Sequence, residues 1–120
     1  MLVMKNPIEQ LNKIFDSRIR LGIMSALVIN DAINFNELKE LIGVTDGNLA
    51  SHLKTLEDKG YIKVQKGFLG RKTNTTYSIT KSGSKSFKSH MDALEEMIRS
   101  VKQFFLYSYF VIQSTFKIIK

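Results

Sequence analysis

The stretch TDGNLASHLKTLEDKG, Thr45 to Gly60, constrains this chain more than any other. Leu49, Leu53 and Leu56 recur at intervals of four and three residues, which puts them on one face of a helix and requires that face to be buried. Thr45 and Asp46 are good N-cap residues, acidic Asp46 suits the positive end of the helix dipole, and Gly60 is the matching stop. The spacing predicts a helix over 45–59. A turn of about 100° per residue puts Gly47, Asn48, Ser51 and Thr55 on the far side, with His52 and Lys54 at its flanks. No hydrophobe larger than Ala50 interrupts this small, polar face.

A helix with its back in a core and short polar side chains in front can approach another surface closely. It is either a solvated amphipathic helix or one that enters the major groove of DNA, where base edges present a readable pattern of donors and acceptors. Its context discriminates between the two. The chain has 120 residues, the length of one domain, and Lys plus Arg exceed Asp plus Glu by 18 to 11, a net charge of +7. Such a surface attracts polyanions, nucleic acid or an anionic membrane. Cysteine is absent, which excludes disulfides and cysteine metal sites and is compatible with a reducing compartment. The start, MLVMKNPIEQ, lacks the pattern of a secretory signal, so a cytoplasmic location is expected.

Upstream, Asn6 and Pro7 are expected to open a short first helix with Ile8, Leu11, Ile14 and Phe15 as its apolar stripe. Ser17 is a cap for a second helix that buries Ile19, Ile23, Met24, Leu27 and Val28. Arg18 and Arg20 in its first turn oppose the helix dipole, so they are expected to serve elsewhere, at a phosphate or simply in solvent. A short extended piece spans Ala32 to Phe35. Asn36 is then the expected cap of a third helix, ELKELI, with Leu38, Leu41 and Ile42 inward and Gly43 as its end. Only Val44 separates Gly43 from the cap at Thr45. Two helices joined so tightly form a helix-turn-helix, with 45–59 as the recognition helix.

Downstream the period changes. Tyr61 to Lys66 alternates, with Ile62 and Val64 on one side and Tyr61, Lys63 and Gln65 on the other; Thr75 to Ile79 alternates again. GFLGRKTN, between them, is a hairpin loop carrying Arg71 and Lys72, and the projecting wing is expected over 66–74. From Tyr61 to His90 there are seven basic residues (Lys63, Lys66, Arg71, Lys72, Lys81, Lys85, Lys88) and no acidic one, the pattern of a phosphate-contacting flank.

Thr80 caps a last helix in which Phe87, Met91, Leu94, Ile98, Val101 and Phe105 are spaced four, three, four, three and four. That seam suits a second copy of the chain, or else the first helix of the same chain. Beyond Gln103, FFLYSYFVI is apolar nearly all round, yet its core is shorter than the roughly 20 residues of a transmembrane helix, so no stable membrane insertion is expected. Burial in a dimer interface is the first expectation for it, and membrane-surface contact the second.

With these elements in order, the chain resembles winged-helix transcriptional regulators of the MarR and ArsR type. The phrases NLASHLKTLEDKGYI (Asn48 to Ile62) and GRKTNTTYSITKSG (Gly70 to Gly83) carry the resemblance. It implies a mainly α fold with a small β-hairpin: a three-helix helix-turn-helix core and wing in 1–80, and a long C-terminal dimerisation helix in 81–120. It further implies a homodimer on double-stranded DNA. Thr45, Asn48, Ser51, His52, Lys54 and Thr55 would lie in or beside the major groove, Arg71 and Lys72 at the wing tip over the minor groove, and Phe87, Met91, Leu94, Ile98, Val101 and Phe105 at the dimer interface.

Metal-sensing members of such families use cysteine and histidine clusters, which His52 and His90 are too isolated to form. No cofactor is expected. A small-molecule effector is a candidate partner on the resemblance alone, since no residues mark a pocket for one. Nothing pairs a nucleophile with a base or a carboxylate with a carboxylate in a cleft, so an enzyme is not expected. The rival readings are a winged helix that binds protein, against which the acid-free cationic run argues, and a membrane-associated regulator using the aromatic tail.

Overall fold

The leucine stripe at 49, 53 and 56 lies at the centre of the core. In the computed structural model, which describes residues 7–119, it packs with Ile23, Met24 and Leu27 of helix α1 (Arg18–Ile29) and Leu38 of helix α2 (Phe35–Ile42). Helix α3 (Asp46–Asp58) carries the stripe. A two-residue strand β1 (Ile33–Asn34) and the hairpin strands β2 (Ile62–Leu69) and β3 (Lys72–Ile79) form an antiparallel sheet in the order β1-β3-β2. Helix α4 (Lys81–Ile119) follows. The molecule is 75 Å long against 29 and 23 Å across, because 39 residues at about 1.5 Å each make α4 far longer than the lobe it leaves.

Several local expectations are corrected. The first helix is replaced by two 3-10 turns, Pro7–Gln10 and Lys13–Phe15, and the Asn12 side chain accepts from the Ile14 N–H to cap the second. Asn6, expected as a cap, lies outside the described residues. Asn34, not Asn36, caps α2: its side chain accepts from the Glu37 N–H at 2.9 Å and its amide donates back to the Glu37 carboxylate at 2.8 Å. The Glu37 carboxylate holds the Asn34 side chain in its capping orientation through Nδ2, an aid that Asn36, with Lys39 three residues on, lacks. Leu41, expected inward, is 65% exposed, and Val28 is exposed as well, since each lies beyond the edge of its helix's buried stripe.

Tyr61 does not alternate outward from the strand. It precedes β2 and is buried, because α3 ends in a Schellman motif: Gly60 at φ +81° donates to the Glu57 carbonyl and the Tyr61 N–H donates back to Leu56. That turn drives the Tyr61 ring into the core, where it stacks on Phe15 at 5.5 Å. Phe15 also meets Phe87 edge-on at 5.2 Å and His90 at 5.1 Å, so one ring from the N-terminal turn touches both the exit of α3 and the first half of α4. Phe87, expected in the dimer seam, is 4% exposed and belongs to this intrachain cluster. The first turns of α4 pack back on the lobe, and the seam opens only beyond them.

The start of α4 is clamped to the same corner. Thr80 donates its backbone N–H to the Tyr61 carbonyl and its hydroxyl to the Gly60 carbonyl, while the hydroxyl oxygen accepts from the Gly83 N–H. Gly83 sits so close that a Cβ there would lie 2.0 Å from the Tyr61 oxygen. Gly83→Ala should therefore lower stability by about 3 kcal/mol, the upper range for overpacking, read as a fall in urea midpoint. Gly47→Ala, where a Cβ meets nothing within 4 Å, should not lower it.

Buried His90 accepts the Asn12 N–H on Nδ1 at 3.0 Å, so protonation would set two donors face to face. Burial lowers its pKa from 6.5, against an opposing pull from the Asp16 charge. The unfolded chain thus takes up the proton first as pH falls, and the stability this group contributes is present above about pH 6.5 and lost below it. The melting temperature should drop between about pH 7.5 and 5.5, and less steeply in His90→Gln, whose amide oxygen accepts the same bond without titrating. An equal slope in the variant contradicts this assignment.

Candidate nucleic-acid interface

The helix-turn-helix is built from short-range rules. Gly43 ends α2 in the left-handed region at φ +72° and donates to the Lys39 carbonyl; Val44 follows, half-buried. The Thr45 hydroxyl then accepts from the Asn48 N–H at 3.3 Å and starts α3. Lys39 and Asp46 join the two helices through an ion pair of 2.8 Å, exposed on both sides. That pair sets a cation beside the one acid in the first turn of α3, which limits the repulsion Asp46 would exert on a polyanion.

On the outward face, Gly47, Asn48 and Ser51 are all exposed, as are Thr45 and Lys54. Lys54 pairs weakly with Asp58 at 3.4 Å along the helix, leaving its ammonium in solvent. Two expected site residues are more inward. Thr55 is half-buried, and its hydroxyl donates to the Ser51 carbonyl, so little of it is presented. His52 is half-buried with Nδ1 at 2.9 Å from an Arg20 guanidinium nitrogen. Arg20 in turn donates its Nε–H to the Ile14 carbonyl at 2.6 Å. Arg20 thus has a structural use, joining the N-terminal turn to α3, and the dipole penalty of its place in α1 is offset by these bonds. Burial, and then the Arg20 charge, hold the His52 pKa below its usual value, so at neutral pH the ring is an acceptor on Nδ1. Its Arg20 partner was not evident from the sequence, because the two residues are joined only by helix packing.

The wing is a longer ribbon than its loop-like sequence suggests. Pairing runs without interruption from Ile62 opposite Ile79 to Leu69 opposite Lys72, so GFLGRKTN is mostly strand. Only Gly70 and Arg71 turn; a positive φ of +65° at Gly70, with no non-glycine residue at positive φ among the described residues, is the type II′ pattern that suits the twist of a hairpin. Arg71 is at the apex, Lys72 begins the return strand, and both are exposed. Phe68 and Leu69, read only as loop, are exposed beside them.

On α4, Met91 and Leu94 are half-buried, while Ile98, Val101 and Phe105 are 51%, 51% and 64% exposed. From Phe104 to Ile112 every residue except Ser108 is exposed. No helix among the described residues is long and apolar enough to cross a membrane, and none of their His, Asp and Glu side chains gather in a group that could hold a metal. A groove of about 530 Å³ lies between the start of α1 and the helix-turn-helix turn, lined by Arg18, Ile19, Gly22, Leu41, Ile42 and Val44 among others.

This architecture recurs in known proteins. A model of the winged helix DNA-binding domain matches residues 19–98. An uncharacterised protein of Methanocaldococcus jannaschii is 33% identical over 90 residues, 75% of this chain and 98% of that one. Among solved structures, a transcriptional regulator homologue from Pyrococcus horikoshii OT3 is 29% identical with a TM-score of 0.74, covering 82% of this chain and 98% of that one. A protein described as a MarR-family transcriptional regulator, from Porphyromonas gingivalis W83, is 26% identical with a TM-score of 0.56, covering 88% and 95%. The MarR-like resemblance read from the recognition-helix and wing phrases is thus met in three dimensions, and the chain belongs to the winged-helix DNA-binding domain family.

Proposed function

We propose that this protein is a sequence-specific, double-stranded-DNA-binding transcriptional regulator that acts as a homodimer. Helix α3 enters the major groove and the wing lies on the flanking minor groove. The observation that carries this reading is the outward face of α3: Asn48 and Ser51 are exposed beside Gly47, a helical glycine over which nothing in the chain packs. Gly47 is the second residue of α3, and no intrachain contact requires the absence of a side chain there. Close approach to a groove would use it. Asn48 and Ser51 would read base edges, Thr45 and Lys54 would reach the backbone, and His52, fixed by Arg20, would contribute an imidazole edge from the flank. Thr55 contributes mainly by holding the helix surface shallow.

A two-fold dimer would set the two recognition helices about one duplex turn apart, roughly 34 to 36 Å, on a pseudo-palindrome. The open part of α4, with Ile98, Val101 and Phe105, is the surface proposed to pair, supported by its heptad spacing and its exposure in a single chain. The MarR-family neighbour and the transcriptional regulator homologue support the regulatory role. Protein recognition in place of DNA is disfavoured by the acid-free positive stretch from Tyr61 to His90.

Selection of bound sequences from a random duplex pool tests the reading directly, with a two-fold-symmetric consensus expected and an unenriched pool contradicting it. Against the selected site, Asn48→Ala should reduce affinity by about 1–3 kcal/mol and relax preference at one position per half-site. Arg71→Ala with Lys72→Ala should weaken binding without changing the sequence read by α3 and flatten the slope of log affinity against log salt by about 0.9 per lost phosphate contact. Val101→Glu with Phe105→Glu should convert the protein to a monomer in sedimentation equilibrium. If this variant stays dimeric but no longer pellets with anionic phosphatidylglycerol vesicles, the tail serves a membrane surface and the dimer assignment fails.

A further inference from the structure

The outer half of the wing carries two large apolar side chains that the fold leaves bare. Phe68 and Leu69 are 74% and 66% exposed, immediately before the Gly70–Arg71 turn. Strand alternation sets Phe68 on the face shared by Ile62 and Val64, opposite Thr73, and Leu69 on the other face, opposite Lys72. Both faces of the ribbon therefore end in a hydrophobe. Eight residues extend about 27 Å, and burial along β2 is confined largely to the Ile62–Val64 end, with Gln65 and Lys66 already in solvent. Packing within the chain gives no reason for apolar residues at the far end.

A single exposed hydrophobe on a protein surface is ordinary. A Phe-Leu pair at the end of a projecting ribbon, collared by Lys66, Arg71 and Lys72 in a stretch without acids, is a more particular combination. The two halves of that combination match the two components of a duplex edge. Cations suit the phosphates that rim the minor groove, and flat or branched apolar groups suit the stacked base step between them. An apolar protein patch would complement the hydrophobes but not the unbroken positive charge.

We propose that Phe68 is a wedge that enters the minor groove and partly unstacks a base step beside the sequence read by α3, while Leu69 on the other face of the ribbon packs against the groove's sugar edge, so that the wing bends the duplex. This rests on the DNA-binding reading above. It adds a second source of selectivity: pyrimidine–purine steps such as TA unstack most easily, so the protein favours them under the wing at base pairs to which it makes no hydrogen bond. Arg71 and Lys72 hold the tip at the groove, and Phe68 does the deforming.

The test uses the full chain and two mixed-sequence duplexes, identical except that one carries TA steps and the other an A-tract in the flanks, each with 2-aminopurine at the flanking steps. Binding should raise the fluorescence of the TA duplex, and that duplex should bind on the order of tenfold more tightly, equivalent to about 1.4 kcal/mol. Phe68→Ser with Leu69→Ser should lose the preference for the TA duplex and the rise in fluorescence, and keep the native salt slope because its cations remain. Phe68→Trp, with Leu69 retained, should still unstack the step. Binding by the native chain with flat fluorescence and no preference overturns the wedge alone. A double variant that still unstacks the step overturns it too, as does one whose only change is in oligomeric state or in pelleting with anionic vesicles. Failure of the native chain to bind any duplex overturns the DNA-binding reading itself.

Discussion

Burial of Leu49, Leu53 and Leu56 is the constraint on which the remainder depends. Each fully buried leucine contributes roughly 1.5–3 kcal/mol relative to solvent, so rotating α3 by half a turn would forfeit most of a small domain's stability. The helix is thereby locked about its own axis, and its presented face is decided by what is left. What is left is Gly47, Asn48 and Ser51, with nothing large among them. The polar face presented by α3 arises as the complement of a core.

A second constraint carries orientation from that helix to the rest of the chain. The Schellman turn at Gly60 throws Tyr61 inward onto Phe15, Thr80 ties the end of the wing to the same two residues, and Gly83 lets α4 rest on the Tyr61 backbone. Asn12 adds bonds to the Tyr61 hydroxyl and the His90 ring, and Arg20 bonds both Ile14 and His52. The N-terminal turns, α3, the base of the wing and α4 therefore meet at one corner. Direct contacts at that corner connect the start of α4 to the base of the wing and the end of α3.

Much of this was legible in the residues because it obeys local rules. Leucine spacing, the caps at Ser17, Thr45 and Thr80, and the glycine stops at 43 and 60 are all written within a turn or two of where they act. The readings that failed are decided either at a distance or by a neighbouring residue that overrides the simple periodic pattern. Tyr61 looked like a strand residue until the αL turn before it set its direction, and Phe87 fitted a seven-residue seam although Phe15 claims it from more than 70 positions away in the chain. Asn34 outcompetes Asn36 as a cap through the Glu37 side chain three residues ahead, where Asn36 has only Lys39 at the same spacing. Arg20 and His52 formed an unforeseen pair because only tertiary packing brings them together. The wing was underestimated for another reason: GFLGRKTN has the composition of a loop, and its strand character comes from ladder pairing extended out from TTYSI.

On the proposed function, the polar face of α3 and the tip of the wing engage one duplex at the same time. The natural absence of cysteine makes single-site tethering clean. An iron–EDTA cleavage reagent attached at Ala50→Cys on α3, and separately at Thr73→Cys on the wing, reports where each element lies on the selected DNA site; both positions are exposed. Focused cuts within each half-site are expected from the α3 tether and cuts in the adjoining flank from the wing tether, on the same molecule of DNA. Cleavage from only one tether, or cuts from either spread evenly along the duplex, would contradict the proposed function.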